Sequence, residues 1–223
     1  MNPSRLILVN VLVLVVLVGG AFAAVYYYNQ SVNYIATDNA QVDGQLITVI
    51  SPTTGKLTAW SGAVGNKFNS GQTIGTIQSA GVPQVAATPT SINVTIPAAG
   101  TIVQQSAVTN SFVATGTTLA RAYAMDKLWI SANINETQMN NLKQNQTVDV
   151  YLDAFPGTTL TGKVSQIGLV TAAQFSLLPQ QNTTANYTKV TQVIPVVITL
   201  DGYQGVNLVP GMSASVRIHL REQ

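Results

Sequence analysis

Apolar positions along this chain fall into two kinds: one unbroken run near the N-terminus and, beyond it, many short stretches where apolar and polar residues alternate. The run reads LILVNVLVLVVLVGGAFAAVYYY from Leu6 to Tyr28, with Asn10 its one strongly polar interruption. As a helix it would span about 34 Å at 1.5 Å per residue, against about 30 Å for the core of a bilayer. The pattern predicts a transmembrane helix over residues 6–28. Tyr26, Tyr27 and Tyr28 close it with rings suited to the membrane–water interface, and no charge separates Arg5 from Asp38. By the positive-inside rule residues 1–5 form a cytoplasmic tail, so the chain is expected to be a single-pass protein of the cell membrane with an extracytoplasmic body. Ala21-Phe22-Ala23 also fits the pattern of a cleaved signal peptide. Continuation of the apolar run to the tyrosines favours a retained anchor, and both readings place the body outside the cytoplasm.

Residues 29–45 are polar and extended in character, a linker and first strand leading away from the membrane. Then the chain repeats itself. Ile47, Val49, Pro52 and Gly55 match Ile92, Val94, Pro97 and Gly100; Leu57, Gly71 and Ile74 match Ile102, Gly116 and Leu119, always at an offset of 45 residues. Each copy reads strand, Pro-x-x-Gly turn, strand, Gly-containing turn, strand. Proline presets φ and glycine accepts a positive φ, so the turn is expected to be a tight reversal. Two such copies, 46–78 and 92–123, can close on each other as a β-sandwich spanning 46–123. From 124 to 223 the alternation predicts strands over 128–134, 147–152, 160–167, 193–200 and 213–220, with a short helix after Asn135, a preferred cap residue. This predicts a small antiparallel β-barrel with one short helix, so the fold class is mainly β.

One connection, residues 171–189, is long for a compact barrel. It carries the apolar group Phe175, Leu177, Leu178 and Pro179, followed by Gln, Asn and Thr residues. An apolar tip on a long loop fits contact with a partner or membrane; folding back over the barrel end is the other reading. Phe175, Leu177, Leu178 and Pro179 are therefore the candidate partner contacts.

Composition mainly removes options. Hydrophobic residues make up 46% of the chain and charged ones 8%, against roughly 25% charged in ordinary soluble domains. The surface is built from amides and hydroxyls instead. Net charge is +2 with no basic stripe, so no nucleic-acid footprint is present. Cysteine is absent, which excludes disulfides, thiol nucleophiles and thiolate metal sites. His219 is the lone histidine and reads as a surface side chain, since metal sites and Ser-His-Asp triads need company. Asp149 and Asp153 read as solvating a strand edge, Asp43-Gly44 as a turn, and Trp60 and Trp129 as core or interface residues and not ligand platforms. No catalytic, cofactor or metal site is expected.

The order of these features resembles the membrane fusion (periplasmic adaptor) proteins of the HlyD family, EmrA type. Thr37-Asp38-Asn39-Ala40-Gln41-Val42-Asp43-Gly44 resembles that family's motif just past the anchor. The two repeat halves resemble its split lipoyl-like (barrel-sandwich hybrid) domain. Leu128-Trp129, Glu136-Thr137-Gln138, Pro156-Gly157 and Gly162-Lys163-Val164 resemble its barrel, and Phe175 to Pro179, Gln181-Asn182 and Val209 to Met212 its C-terminal part. The resemblance implies a non-catalytic adaptor of a multidrug or toxic-compound export system. It implies a homo-oligomer on the outer face of a membrane transporter, usually a major facilitator drug/proton antiporter. The alternative is a membrane-anchored surface β-protein binding cell-wall polymer or a ligand. One feature departs from the family. Its Gram-negative members carry a long α-helical hairpin between the lipoyl halves, where this chain has only Ser79 to Ser91. Docking to an outer-membrane channel is therefore doubtful. A swinging-arm carrier of lipoate or biotin is excluded, because no lysine lies between Lys67 and Lys127.

Overall fold

The structure, a computed structural model, describes residues 12–22, 24–26, 33–79, 90–172 and 192–220. Residues 12–22 and 24–26 are helical. Among the described residues no helix is long and apolar enough to cross a membrane; the rest of the expected 6–28 span lies outside them. The other described residues are mainly β-structure in two compact units, one made of residues 130–206 and 212–223 with the N-terminal 41 residues, the other of Val42–Trp129 with Asn207–Gly211.

The first unit is a closed six-stranded barrel. Its strands are β1 (Tyr34–Asp43), β10 (Trp129–Asn135), β11 (Thr147–Leu152), β12 (Thr159–Ile167), β13 (Val193–Leu200) and β14 (Ser213–His219), in spatial order β1-β10-β13-β12-β11-β14. Period-two alternation decides which side chains face inward. In β11, Val148, Val150 and Leu152 are buried while Thr147 and Tyr151 are exposed; in β14, Ala214, Val216 and Ile218 are buried. Ile130, Ile134, Leu160, Val164 and Ile198 complete an interior with no measurable exposure at those positions. Eight strands enclose a space just wide enough for side chains to fill. Six leave less, so this barrel is a solid body and not a conduit. Closure also removes the sheet edges that would invite aggregation.

The structure adds detail to the sequence expectations. Within the stretch expected as linker and first strand, residues 34–43 form a full wall strand of the barrel, with Tyr34 paired to His219 and Thr37 to Val216. A bulge between Thr37 and Ala40 breaks its alternation, which is why the pattern did not read as a buried strand. The short helix is a 3-10 helix, Glu136–Asn141, and Asn135 makes no side-chain cap bond. The N–H of Glu136 instead donates to Gln192 O at 3.0 Å. At the helix's other end Gln146, almost fully buried, closes the backbone: its Oε1 accepts from Lys143 N–H and its Nε2 donates to Asn141 O.

The second unit is a β-sandwich. Its strands are β2 (Leu46–Ile50), β3 (Gly55–Trp60), β4 (Lys67–Phe68), β5 (Thr73–Ser79), β6 (Ser91–Thr95), β7 (Gly100–Gln105), β8 (Phe112–Val113) and β9 (Thr118–Tyr123). They form sheets β2-β9-β7-β4 and β6-β5-β3-β8 around one core that includes Val49, Leu57, Ile77, Val94, Ile102 and Leu119. Each sheet takes two strands from each sequence repeat, so the halves interleave and neither is a sheet alone. The 45-residue offset reaches down to single hydrogen bonds. Leu57 N–H donates to Ser111 O and Ile102 N–H to Asn66 O, both at 2.9 Å; Gly116 N–H donates to Ser51 O and Gly71 N–H to Ile96 O, both at 2.8 Å. Positive φ recurs in the same way, at Gly71 and Gly116.

The Pro-x-x-Gly turns correct a further expectation. Gly55 and Gly100 do not have positive φ. They are needed for room: a Cβ on Gly55 would stand 2.2 Å from the carbonyl oxygen of Gln78, and one on Gly100 would stand 3.0 Å from that of Tyr123. Gln78 and Tyr123 are themselves matched positions of the repeat.

Candidate partner-contact surface

The candidate contacts Phe175, Leu177, Leu178 and Pro179 lie outside the described residues. The stems that carry their loop are described and are firmly held. Gly168 N–H donates to Pro195 O at 2.8 Å, and a Cβ at Gly168 would meet that oxygen at 2.7 Å. With Glu136 bonded to Gln192, the end of β12, the start of β13 and the 3-10 helix are tied at one end of the barrel. From that rigid base Leu169 stands 99% exposed and Val170 41% exposed. An isolated exposed leucine needs no explanation, but this one begins the segment that runs on to Phe175. Sequence reading did not single it out, because it lies between the strand expected to end at Ile167 and the loop expected to begin at residue 171.

The family-like motif of residues 37–44 builds the barrel wall instead of presenting a contact. Thr37 Oγ1 donates to Asn133 O at 3.0 Å, Asn39 N–H donates to Thr37 Oγ1 at 3.2 Å, and Asn133 Nδ2 donates to Asn39 Oδ1 at 3.1 Å. The bulge is thereby stitched to β10. Asp43 Oδ1 accepts from Gly44 N–H at 2.7 Å, where the chain passes from β1 to β2. A Cβ on Gly44 would lie 2.6 Å from Leu128 Cδ2, so a side chain there would require Leu128 to shift.

His219 is not an idle surface group, and Asp149 does not solvate an edge. Their side chains meet at 2.8 Å across β14 and β11. Tyr34 stands edge-on to the imidazole at 4.9 Å between centroids, and the Arg217 guanidinium lies 5.5 Å from the Tyr34 ring. Seventy residues separate the pair in sequence, and the closed barrel leaves no free edge there, so spacing alone could not reveal it. The side chains remain 30% and 25% exposed, which lets water screen the interaction. A double-mutant cycle of Asp149→Ala and His219→Ala should give a coupling of about 0.5–1 kcal/mol by denaturant unfolding. Zero coupling would mean that Tyr34 packing alone holds the imidazole.

Among the described residues no group of three or more His, Cys, Asp or Glu could hold a metal ion. Chemistry thus gives no lead, and architecture carries the comparison with other proteins. Residues 127–222 match the family described as CusB-like, beta-barrel domain. The protein of Bacillus subtilis (strain 168) named "Putative efflux system component YhbJ" is 37% identical over 218 residues, 98% of this chain and 94% of that protein. The colistin resistance protein EmrA of Acinetobacter baumannii is 37% identical over 132 residues, 59% of this chain but 37% of its own length. The solved structure of the periplasmic adaptor protein EmrA superposes with a TM-score of 0.52 at 11% identity, covering 84% of this chain and 98% of that one; at that identity it speaks for the fold alone. Likeness along almost the whole chain to an efflux component, a CusB-like barrel and an adaptor fold agree, and the chain belongs to the HlyD-type membrane fusion (adaptor) family of efflux systems, with relatives of the EmrA type.

Proposed function

We propose that this protein is the non-catalytic adaptor subunit of a multidrug or toxic-compound exporter, anchored by residues 6–28 and docked on the outer face of a cell-membrane transporter. The observation that carries this reading is the likeness to an efflux component over 98% of the chain. The solid barrel agrees with it, because a filled body works by docking and not by conducting. The transporter would be a major facilitator drug/proton antiporter, met by the loop bearing Phe175, Leu177, Leu178 and Pro179. The sandwich would act as the lipoyl-like module, packing with other copies around an exit path.

An outer-membrane channel is not part of this proposal. Strands β5 and β6 stay paired to their ends, Gln78 with Ser91, and Ser79 N–H donates to Thr90 O at 3.0 Å. Only residues 80–89 lie between those ends, too few for two long helices at about 1.5 Å per residue. The test uses the tagged full chain, solubilised in mild detergent. It should retrieve a multi-pass transporter, and deletion of the gene should raise sensitivity to at least one toxic compound. Recovery of cell-wall polymer with no transporter would replace this reading with that of a surface-binding protein.

A further inference from the structure

The sandwich's two halves serve as each other's control, because a departure at matched positions marks a local change. One departure lies beside a groove. Beside β3 and β8, Thr54 Oγ1 lies 3.2 Å from Thr115 Oγ1 and accepts from Thr115 N–H at 3.1 Å, so two threonines bridge the turns. At the matched place beside β7 and β4, the residues are Ala99 and Ser70, and the Ser70 hydroxyl donates to Pro97 O at 2.9 Å. No threonine bridge forms there. A groove of about 260 Å³ occupies this side, lined by Lys67, Phe68, Asn69, Ala99, Met125 and Asp126 among others.

The groove carries both signs of charge and an apolar floor. Lys67 and Asp126 are exposed, and among the described residues neither side chain has a hydrogen-bond or ion-pair partner. At the position matched to Lys67 the other half has Phe112. Phe68 is half-buried and packs against the sandwich core, and Met125 is half-buried. At about 260 Å³ the groove lies below the roughly 300 Å³ at which pockets for drug-sized ligands begin, so it suits only a small molecule. A small site with one cation, one anion and a hydrocarbon floor complements a molecule that has the same three parts reversed.

We propose that this groove binds a small zwitterion: its carboxylate or other anionic group on Lys67, its ammonium on Asp126, and its short apolar chain over Phe68 and Met125. The site is independent of transporter docking and would stand if that reading failed.

The test uses the full chain in detergent with ¹³C-methyl methionine. Of the four methionines, Met125 lines the groove, while Met139 and Met212 lie elsewhere and serve as controls. Met125→Leu assigns the reporter signal. Amino carboxylates from glycine to 6-aminohexanoate are titrated, with butylamine and butyrate as singly charged comparisons. One chain length should shift the Met125 signal saturably in the millimolar range, with the singly charged compounds weaker by about tenfold. Lys67→Gln and Asp126→Asn should each weaken that zwitterion by about tenfold. The double change Ser70→Thr with Ala99→Thr, which copies the bridge of the other half, should abolish the shift while both charges remain. The proposal is overturned by no Met125 shift up to about 50 mM, by equal response to all compounds, or by undiminished binding in the bridged variant. A shift that follows protein concentration and ignores ligand would also overturn it, assigning the groove to a second copy.

Discussion

Replacing Gly55 with alanine should lower the thermal midpoint of the sandwich by more than about 10 °C, the largest effect of any single methyl group added to this unit. The added Cβ would sit 2.2 Å from the Gln78 carbonyl oxygen, 2.8 Å from Ile77 Cγ2 and 2.9 Å from the Gln78 carbonyl carbon. Two of those three atoms are backbone of the paired strand β5, which cannot turn aside as a side-chain end can. Overpacking typically costs about 1–3 kcal/mol, and a backbone clash places Gly55→Ala at or above the upper figure. At about 4–8 °C per kcal/mol for a unit of this size, the drop follows. Gly100→Ala should cost less, since its Cβ first meets the mobile end of Ile47 at 2.8 Å and reaches Tyr123 O only at 3.0 Å. Gly71→Ala and Gly116→Ala form the contrasting pair. Their Cβ atoms would enter open space, and only the positive φ of 77° and 83° is strained, at about 1–2 kcal/mol. Thermal unfolding of the four variants should therefore rank Gly55 first and Gly100 second. A Gly55→Ala protein within about 3 °C of wild type, with Gly71→Ala the more damaged, would show that turn conformation and not space dictates glycine at position 55.

Those glycines show how far the sequence reached. The 45-residue repeat was legible, and it predicted two halves closing on each other as a sandwich; that each sheet takes strands from both halves came only from the structure. It could not say why Gly55 is glycine. A Pro-x-x-Gly motif looks the same whether glycine supplies a positive φ or makes way for a neighbour, and the neighbour here, Gln78, is distant in the chain. Barrel strands β11 and β13 were readable to the residue, since Val148, Val150 and Leu152 keep strict alternation and Val193 to Leu200 is nearly all apolar. Strand β1 was not, because the Thr37 to Ala40 bulge shifts the period in its middle. The His219–Asp149 pair was hidden for a different reason: its partners come from strands that meet only once the barrel has closed.

Changing Phe175, Leu177 and Leu178 together to serine should abolish co-purification of the transporter while leaving the adaptor folded. Each is a large apolar side chain, and burying one against a partner contributes about 1.5–3 kcal/mol. Three lost together weaken association by several kcal/mol, beyond a thousandfold at about 1.4 kcal/mol per tenfold step. The adaptor's own stability should hardly move, because the barrel closes on itself strand by strand, in the ring β1-β10-β13-β12-β11-β14, and its buried side chains come from those strands. Two measurements on one triple variant therefore separate the two roles open to this loop. Lost retrieval with a thermal midpoint within about 3 °C of wild type assigns the residues to the transporter. Retained retrieval with a midpoint lowered by about 10 °C assigns them to the barrel as a cover over its end. Leu169→Ser is the informative single change beside it. That side chain is 99% exposed, so its replacement cannot unfold the barrel, and any loss of retrieval it causes extends the contact from the loop tip down to its rigid base.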